Sequence, residues 1–318
     1  MTSFRAGLLL GALSAIGYAA ANSFLRGATS VDAAWVSAVK SFWLIALLGP
    51  PLTLAVGRGE VAGFGRRSWI GLIAAGCIGQ FGGNLAFQWG LERIGLSVTV
   101  PLCLGAMICS SALIQRLSER VPLRPNVLAS IPVFLVAMVL LSVSRSGGTA
   151  VTVDRDWQAG ALGSLAAAAS GVSYSILGFA IRRATGKGAP VSLPMVIVGV
   201  VGLVGLGSLG FSRLGIDGVR EIDGWSWGMM TAAGLANAAA FLSLSLSLRA
   251  ISVLYVHLLN STQVALTALV GSLFFGEAFG GLTIAGVLLT IVGFIGMARE
   301  PRRPARKVSE GPGPADQA

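Results

Sequence analysis

The sequence predicts an all-α, polytopic membrane protein in which ten transmembrane helices form two inverted five-helix repeats. Three observations lead to this prediction: the composition, the spacing of the apolar runs and an internal duplication. Of the 318 residues, 54% are hydrophobic and 11% are charged, and the mean hydropathy is +0.79. A soluble globule of this length could not remove so much apolar surface from water. The composition therefore excludes an ordinary soluble enzyme and a disordered chain.

Ten apolar runs follow one another, each long enough to cross a bilayer, which needs about 20 residues. Short connections between them indicate one compact bundle. The chain after residue 298 is rich in Pro, Gly, Arg and Lys, and we expect a disordered basic tail over 299–318. The runs lie at approximately 6–25, 33–55, 69–90, 95–115, 126–144, 158–181, 191–212, 226–248, 251–275 and 281–298.

The positive residues predict the orientation. If the N-terminus is cytoplasmic, most of the 23 lysines and arginines fall in cytoplasmic segments, as the positive-inside rule requires. An even number of spans places the C-terminus on the same side. The net charge of +10 is thus read as a topology signal, not as a nucleic-acid site. We expect a multi-pass protein of the cell (inner) membrane with both termini in the cytoplasm.

An internal duplication relates the two halves of the chain. Ser14 and Tyr18 in the first run recur with the same spacing as Ser170 and Tyr174 in the sixth run. The first run could also pass for a cleaved signal peptide. We expect it to be retained, because its removal would leave the sixth run without a counterpart.

A second match comes late in each half, where Glu119 and Glu277 each precede the last run. Because each half holds an odd number of spans, the second half must enter the membrane from the opposite side. We place the first repeat at 1–145 and the second at 156–298. Inverted repeats are the architecture by which secondary transporters alternate access around a midplane site.

Several short motifs, in order, resemble the drug/metabolite transporter superfamily and, within it, the EamA-type permeases. Lys40 precedes Ser41-Phe42 where that family often has Arg followed by an aromatic residue, whereas Ala106 and Val264 stand where many members have proline. The resemblance implies two five-span repeats and a secondary transporter, more often an exporter. The motifs are Leu248-Arg249-Ala250-Ile251-Ser252, Leu273-Phe274-Phe275-Gly276-Glu277, Gly286-Val287-Leu288-Leu289-Thr290-Ile291-Val292-Gly293 and, more loosely in the first half, Gly90-Leu91-Glu92-Arg93-Ile94 and Leu117-Ser118-Glu119.

Polar side chains recur at helical spacing within several apolar runs, where they are costly unless they serve a purpose. We interpret them as candidates for the lining of a substrate cavity formed by the first, third, sixth, eighth and ninth spans. The alternative is that they only form hydrogen bonds between helices. The candidates are Ser14, Tyr18, Asn22, Lys40, Gln80, Asn84, Gln88, Trp89, Tyr174, Asn237, His257 and Asn260.

Three of the ionisable residues allow two interpretations each. Lys40 can extend to the outer interface or present a cation to a substrate carboxylate. His257, the single histidine, can be a satisfied interior residue or a proton carrier. Glu277, like its counterpart in the first half, is interpreted as a structural cap or a gate and not as a coupling carboxylate.

The sequence carries no catalytic constellation, no metal-ligand spacing and no phosphate-binding loop, so we expect no enzyme, no cofactor and no metal. The leading hypothesis is export of amino acids by alternating access, with a small molecule and the lipid bilayer as partners. The alternatives are a multidrug or other metabolite permease and, more distantly, a membrane receptor that transports nothing. The hypothesis is compatible with a monomer.

Overall fold

The computed structural model describes residues 4–61, 65–119, 125–146, 156–247, 250, 253–277 and 280–298, and this part of the chain is all-helical, without strands. Each of the ten apolar runs overlaps one helical segment, and the seventh segment has a kink at Gly215. The segments are α1 (Phe4–Gly27), α2 (Ala33–Gly57), α3 (Arg66–Ile94), α4 (Leu96–Glu119), α5 (Pro125–Ser146), α6 (Asp156–Gly186), α7 (Ser192–Arg220), α8 (Gly224–Ser247), α9 (Val253–Phe275) and α10 (Gly281–Ala298).

Seven helices of the described chain are long and apolar enough to cross a membrane, namely α1 to α4 and α6 to α8. The other three contain shorter apolar stretches, Leu128–Leu141, Thr262–Phe275 and Gly281–Gly293. The all-α, multi-pass class is thereby confirmed, whereas the arrangement as ten spans in two inverted repeats stays a prediction. The connection at 147–155 and the predicted tail at 299–318 lie outside the described residues.

Large apolar side chains lie exposed on the outer faces of the helices, for example Leu9, Leu13 and Ile16 on α1. In water such surfaces would cause association. In a bilayer they contact lipid, which is why the polar residues of the same helices can point inward.

Close helix pairs depend on small residues at their contacts. α1 packs along α8, and a Cβ atom added to Gly17 would lie 2.9 Å from the Cβ of Ala240. α3 packs along α6 in the same way, and a Cβ added to Gly79 would lie 2.5 Å from a methyl carbon of Leu177. Both helix pairs therefore approach more closely than alanine would allow.

Two helices contain π-helical turns in their middle. The segment Ile78–Leu85 of α3 and the segment Gly202–Leu206 of α7 are both π-helical. They lie against each other, since a Cβ at Gly205 would be 3.0 Å from the ring of Phe81. π turns inside α-helices are rare and occur frequently at functional sites.

Candidate functional site

Lys40 lies in the interior of α2, eight residues beyond the cap of that helix. The Asp32 carboxylate accepts hydrogen bonds from the amides of Ala34 and Trp35, which fixes the start of the helix. At 1.5 Å per residue the Lys40 backbone is about 12 Å from this end. Only 8% of the residue is exposed, and its Nζ donates to Oδ1 of Asn84 at 2.5 Å. The amine therefore turns toward α3 and does not extend to the interface.

Asn84 connects Lys40 to two further polar side chains. Its Oδ1 also accepts a hydrogen bond from the hydroxyl of Tyr174 at 2.6 Å, and its Nδ2 donates to Oε1 of Gln80 at 2.6 Å. The Gln80 amide in turn donates to the backbone carbonyl of Val198 at 2.7 Å and to the hydroxyl of Ser41 at 3.3 Å. We call Lys40, Gln80, Asn84 and Tyr174 the Lys40 cluster. It joins α2, α3, α6 and α7.

The cluster has an unbalanced charge. Within the described chain no carboxylate lies within ion-pair distance of Lys40. Its ammonium is bonded to a neutral amide oxygen, which compensates only part of the cost of removing a charge from water. An ionisable side chain buried in a membrane span is a candidate functional site by default, and a cation with a neutral partner is suited to an anionic group.

Glycines let the cluster form. The ring of Tyr174 lies against Gly83, where a Cβ atom would be 2.7 Å from a ring carbon. The Gln80 amide lies against Gly202 of α7, where a Cβ would be 2.5 Å from Nε2. Both Gln80 and Asn84 stand on the π-helical segment of α3. Tyr18 of α1 is half-buried, and no described hydrogen bond joins it to the cluster.

Two further candidates on α3 occupy other surroundings. Gln88 is 2% exposed and donates through Nε2 to the backbone carbonyl of Leu25 at 3.0 Å, so it connects α3 to α1. Trp89 stacks under the guanidinium of Arg93, which lies 4.1 Å from the ring centroid. Ser14 of α1 is fully buried, and its hydroxyl has no hydrogen-bond partner among the described residues.

The remaining candidates stand apart from the Lys40 cluster or cannot be placed against it. Asn22 and Asn237 are half-buried on α1 and α8, and no described hydrogen bond joins them to the cluster. Asn260 is half-buried on α9. His257 lies on the same helix, but its side chain is outside the described part of the structure, as is that of Glu119.

Glu277 forms a second polar site, at the end of the bundle where α9 ends and α4 begins. Its Oε1 accepts hydrogen bonds from the Leu96 amide at 2.6 Å and from Nε of Arg26 at 2.9 Å. Its Oε2 accepts from the amide and the hydroxyl of Ser97 at 2.8 and 2.7 Å. The carboxylate thus caps the first turn of α4 and forms an ion pair with the last turn of α1. We call this arrangement the Glu277 cap.

Sequence reasoning missed several of these partners. Ser41 adjoins Lys40 in the sequence, but its hydroxyl gives no signal that it accepts from Gln80. The Val198 carbonyl is a backbone group, which no residue pattern reveals. Arg26 and Ser97 were not singled out, although an arginine at the end of an apolar run is a natural partner for a carboxylate at another run's end.

Two cavities open at opposite ends of the bundle. One, of about 580 Å³, lies beside the connection between α1 and α2, and Asp32, Trp89, Glu92 and Arg213 line part of it. The other, of about 530 Å³, lies where α3 begins and α6 ends. No member of the Lys40 cluster lines either cavity. The cluster is therefore closed off from both in this structure.

The fold and the site together define a polytopic membrane protein with a polar interior. Comparison with known families identifies its second half, because residues 161–299 match the EamA-like transporter family, a part of the drug/metabolite transporter superfamily. The resemblance drawn from the sequence is thereby confirmed. This half of the chain is therefore similar to a family of membrane transporters, which is consistent with the expectation of a non-enzyme.

A solved structure supports the fold over nearly the whole chain. A protein described only by its crystal structure is similar at a TM-score of 0.58, with 20% sequence identity, over 92% of this chain and 95% of that chain. No curated protein matches the sequence.

Proposed function

We propose that this protein is a secondary transporter that exports amino acids by alternating access and binds their carboxylate at Lys40. The observation that carries the proposal is the buried Lys40 ammonium, whose hydrogen-bond partner is the neutral Asn84 oxygen. A substrate carboxylate would replace that oxygen and form a charge-assisted hydrogen bond, which is about twice as strong as a neutral one.

The rest of the Lys40 cluster suits the other polar end of an amino acid. When a carboxylate takes the amine of Lys40, Oδ1 of Asn84 becomes available to accept from a substrate ammonium. The Tyr174 hydroxyl, now bonded to the same oxygen, can donate to the carboxylate as well. Tyr18 and Tyr174 supply aromatic surface for an apolar side chain.

Alternating access requires two halves that can move against each other, and the packing supports two inverted repeats. The repeats match α1 to α5, in order, with α6 to α10. Under this exchange the contact of α1 with α8 becomes that of α6 with α3, and the contact of α4 with α6 becomes that of α9 with α1; all four contacts are present. The contacting pairs α2–α7, α4–α9 and α5–α10 are each unchanged by the exchange. Such a correspondence is expected of a pseudo-two-fold axis in the membrane plane. In this arrangement both termini face the cytoplasm.

Flux measurements in proteoliposomes test the proposal. Proteoliposomes loaded with a panel of amino acids should exchange internal for external substrate. Lys40→Gln should reduce the initial rate at least about tenfold, because the loss of one charged contact costs about 1.4 kcal/mol. Asn84→Ala should reduce it as well. The matched control is Ser37→Ala, a buried polar residue one turn earlier on α2 whose hydroxyl bonds only to its own helix.

The substrate's own chemistry provides a second readout. The parent should prefer an amino acid over its amide, which lacks the carboxylate, and Lys40→Gln should lose that preference. Equal flux of acid and amide through the parent would refute the role of Lys40 and favour a multidrug or other metabolite permease. Ligand-dependent thermal stabilisation without any flux would favour the receptor. Flux that ignores a pH gradient and persists in His257→Ala would exclude proton coupling through that residue.

A further inference from the structure

The cavity at the start of α3 has no role in the function proposed above. It lies between the first turns of α3 and the last turns of α6, with a volume of about 530 Å³. In the proposed orientation this end of both helices reaches the cytoplasmic face of the membrane.

Cations dominate the rim of this cavity. Arg67, Arg183 and Lys187 line it, and none of its lining residues is acidic. Within the described chain none of the three pairs with a carboxylate. Three like charges gathered without a counter-ion create a positive potential that attracts an anion.

Three features at the start of α3 favour an anionic ligand in this cavity. Its cap residue Gly65 supplies no side-chain acceptor, so the positive end of the helix dipole is not neutralised there. The Ser68 hydroxyl, 3.3 Å from Nζ of Lys187, is a hydrogen-bonding group beside the cations. Gly71 leaves the cavity open, because a Cβ atom at this position would meet nothing within 4 Å.

The floor of the cavity is apolar. Phe179 and Ala180 of α6 line it, together with Leu72 and Ala184, which are 2% and 5% exposed. At about 30 Å³ per water molecule, the volume exceeds what a lone phosphate ion would fill. A cationic rim over an apolar floor, at the end of two membrane helices, suits a ligand with a charged head and an acyl chain.

We propose that this cavity binds the phosphate group of an anionic phospholipid from the cytoplasmic leaflet. The inference rests on the proposed orientation but not on the substrate. The guanidinium groups of Arg67 and Arg183 would bind the phosphate oxygens through paired N–H donors, and Lys187 would add a third cation. The glycerol and the first carbons of the acyl chain would lie on the apolar floor. A soluble phosphate ester offers the same headgroup chemistry, so the test separates the two sources.

The experiment uses the full chain in nanodiscs of phosphatidylcholine, with or without phosphatidylglycerol. Bound phosphatidylglycerol is counted by native mass spectrometry, and the melting temperature is measured in parallel. The cavity variant combines Arg67→Gln, Arg183→Gln and Lys187→Gln. The charge-matched control combines Arg5→Gln, Arg58→Gln and Arg220→Gln, three exposed residues that do not line the cavity. A second arm adds inorganic phosphate or glycerol 3-phosphate to discs of phosphatidylcholine alone.

We expect the parent and the control to retain phosphatidylglycerol and to melt at a higher temperature with it. The cavity variant should bind it at least about tenfold more weakly, because it lacks all three cations of the rim. If the triple variant fails to fold, Arg183→Gln alone should show a smaller loss in the same direction. Lipid binding is measured without any transport assay. The lipid site can therefore be refuted while the proposed transport function stands, and the transport function can be refuted while the lipid site stands.

Three results would overturn the proposal. Equal binding of phosphatidylglycerol by the cavity variant and the control would show that the cavity is not the lipid-binding site. The cavity would be assigned to a soluble phosphate ester if soluble phosphate stabilises the parent and the control but not the cavity variant, and if the parent shows no preference for phosphatidylglycerol. Loss of flux with intact lipid binding in the cavity variant would place the cavity on the substrate path.

Discussion

Substitution of Glu277 by glutamine should destabilise the protein by about 3 kcal/mol. The carboxylate is 6% exposed at its side chain and accepts four hydrogen bonds, from Arg26, Leu96 and Ser97. The amide of glutamine offers one oxygen in place of two and directs an N–H₂ group at donors. At least one buried donor then loses its acceptor, at a cost of about 1–3 kcal/mol, and Arg26 loses its counter-ion. Because 19% of the Arg26 side chain is exposed, water screens part of the second cost.

The free energy of unfolding in mixed detergent micelles, measured by denaturant titration, gives this loss directly. Glu221→Gln is the matched control, since that carboxylate is exposed and should change the free energy by less than about 0.5 kcal/mol. A double-mutant cycle of Glu277→Gln with Arg26→Gln should show a coupling of about 1 kcal/mol or more. A loss below about 0.5 kcal/mol for Glu277→Gln, or additive effects in the cycle, would refute the buried cap.

Three further outcomes are expected. Gly95→Ala should lower the free energy of unfolding by about 1–3 kcal/mol, because this residue has a φ of 76° and adjoins the Glu277 cap. The control is Gly160→Ala, in a helix with open space around it, which should leave the free energy unchanged in the same assay. Gly83→Ala should push the neighbouring tyrosine ring away from the Lys40 cluster and lower the flux about fivefold, while Gly178→Ala, again in open space, leaves the flux unchanged. The backbone amide and the hydroxyl of Ser226 donate hydrogen bonds to Asp223 and hold the pKa of its carboxyl below the ordinary value. The stabilisation by the ionised carboxylate is therefore present at neutral pH and is lost as acid protonates it. The melting temperature of the parent should exceed that of Asp223→Asn at neutral pH, and the difference should shrink as the pH falls through the carboxyl range.

The helices could be predicted from the sequence because contact with lipid forces each one to carry a long apolar run. The interruptions inside them could not. Ile78–Leu85 contains three glycines but also the apolar residues of an ordinary α-helix, and no local pattern distinguishes its π turns. Gly202–Leu206 is equally unremarkable in sequence. Both segments depend on the neighbour against which they pack, which is information that the local sequence does not hold.

The candidate site could be predicted in part. The spacing of Gln80 and Asn84 correctly placed them on one face, and they are hydrogen-bonded to each other. The same spacing placed Gln88 with them, but it lies on a different contact, because the π turns before it shift the phase of the helix. Which of the polar residues on other helices would meet Asn84 depends on the tertiary packing, so Lys40 and Tyr174 could be proposed as candidates but not as its partners.

The paired π-helical segments have a mechanical consequence for the Lys40 cluster. A π turn holds one residue more than the α-helical hydrogen-bonding pattern accommodates. Conversion of Ile78–Leu85 to α-helix would rotate the remainder of α3 by about 100° and shift it by about 1.5 Å along its axis. Gly202–Leu206, which lies against it, stores the same increment in α7. Such a conversion would move Asn84 relative to Lys40, and it would also turn Gln88, which follows the π segment, away from the Leu25 carbonyl.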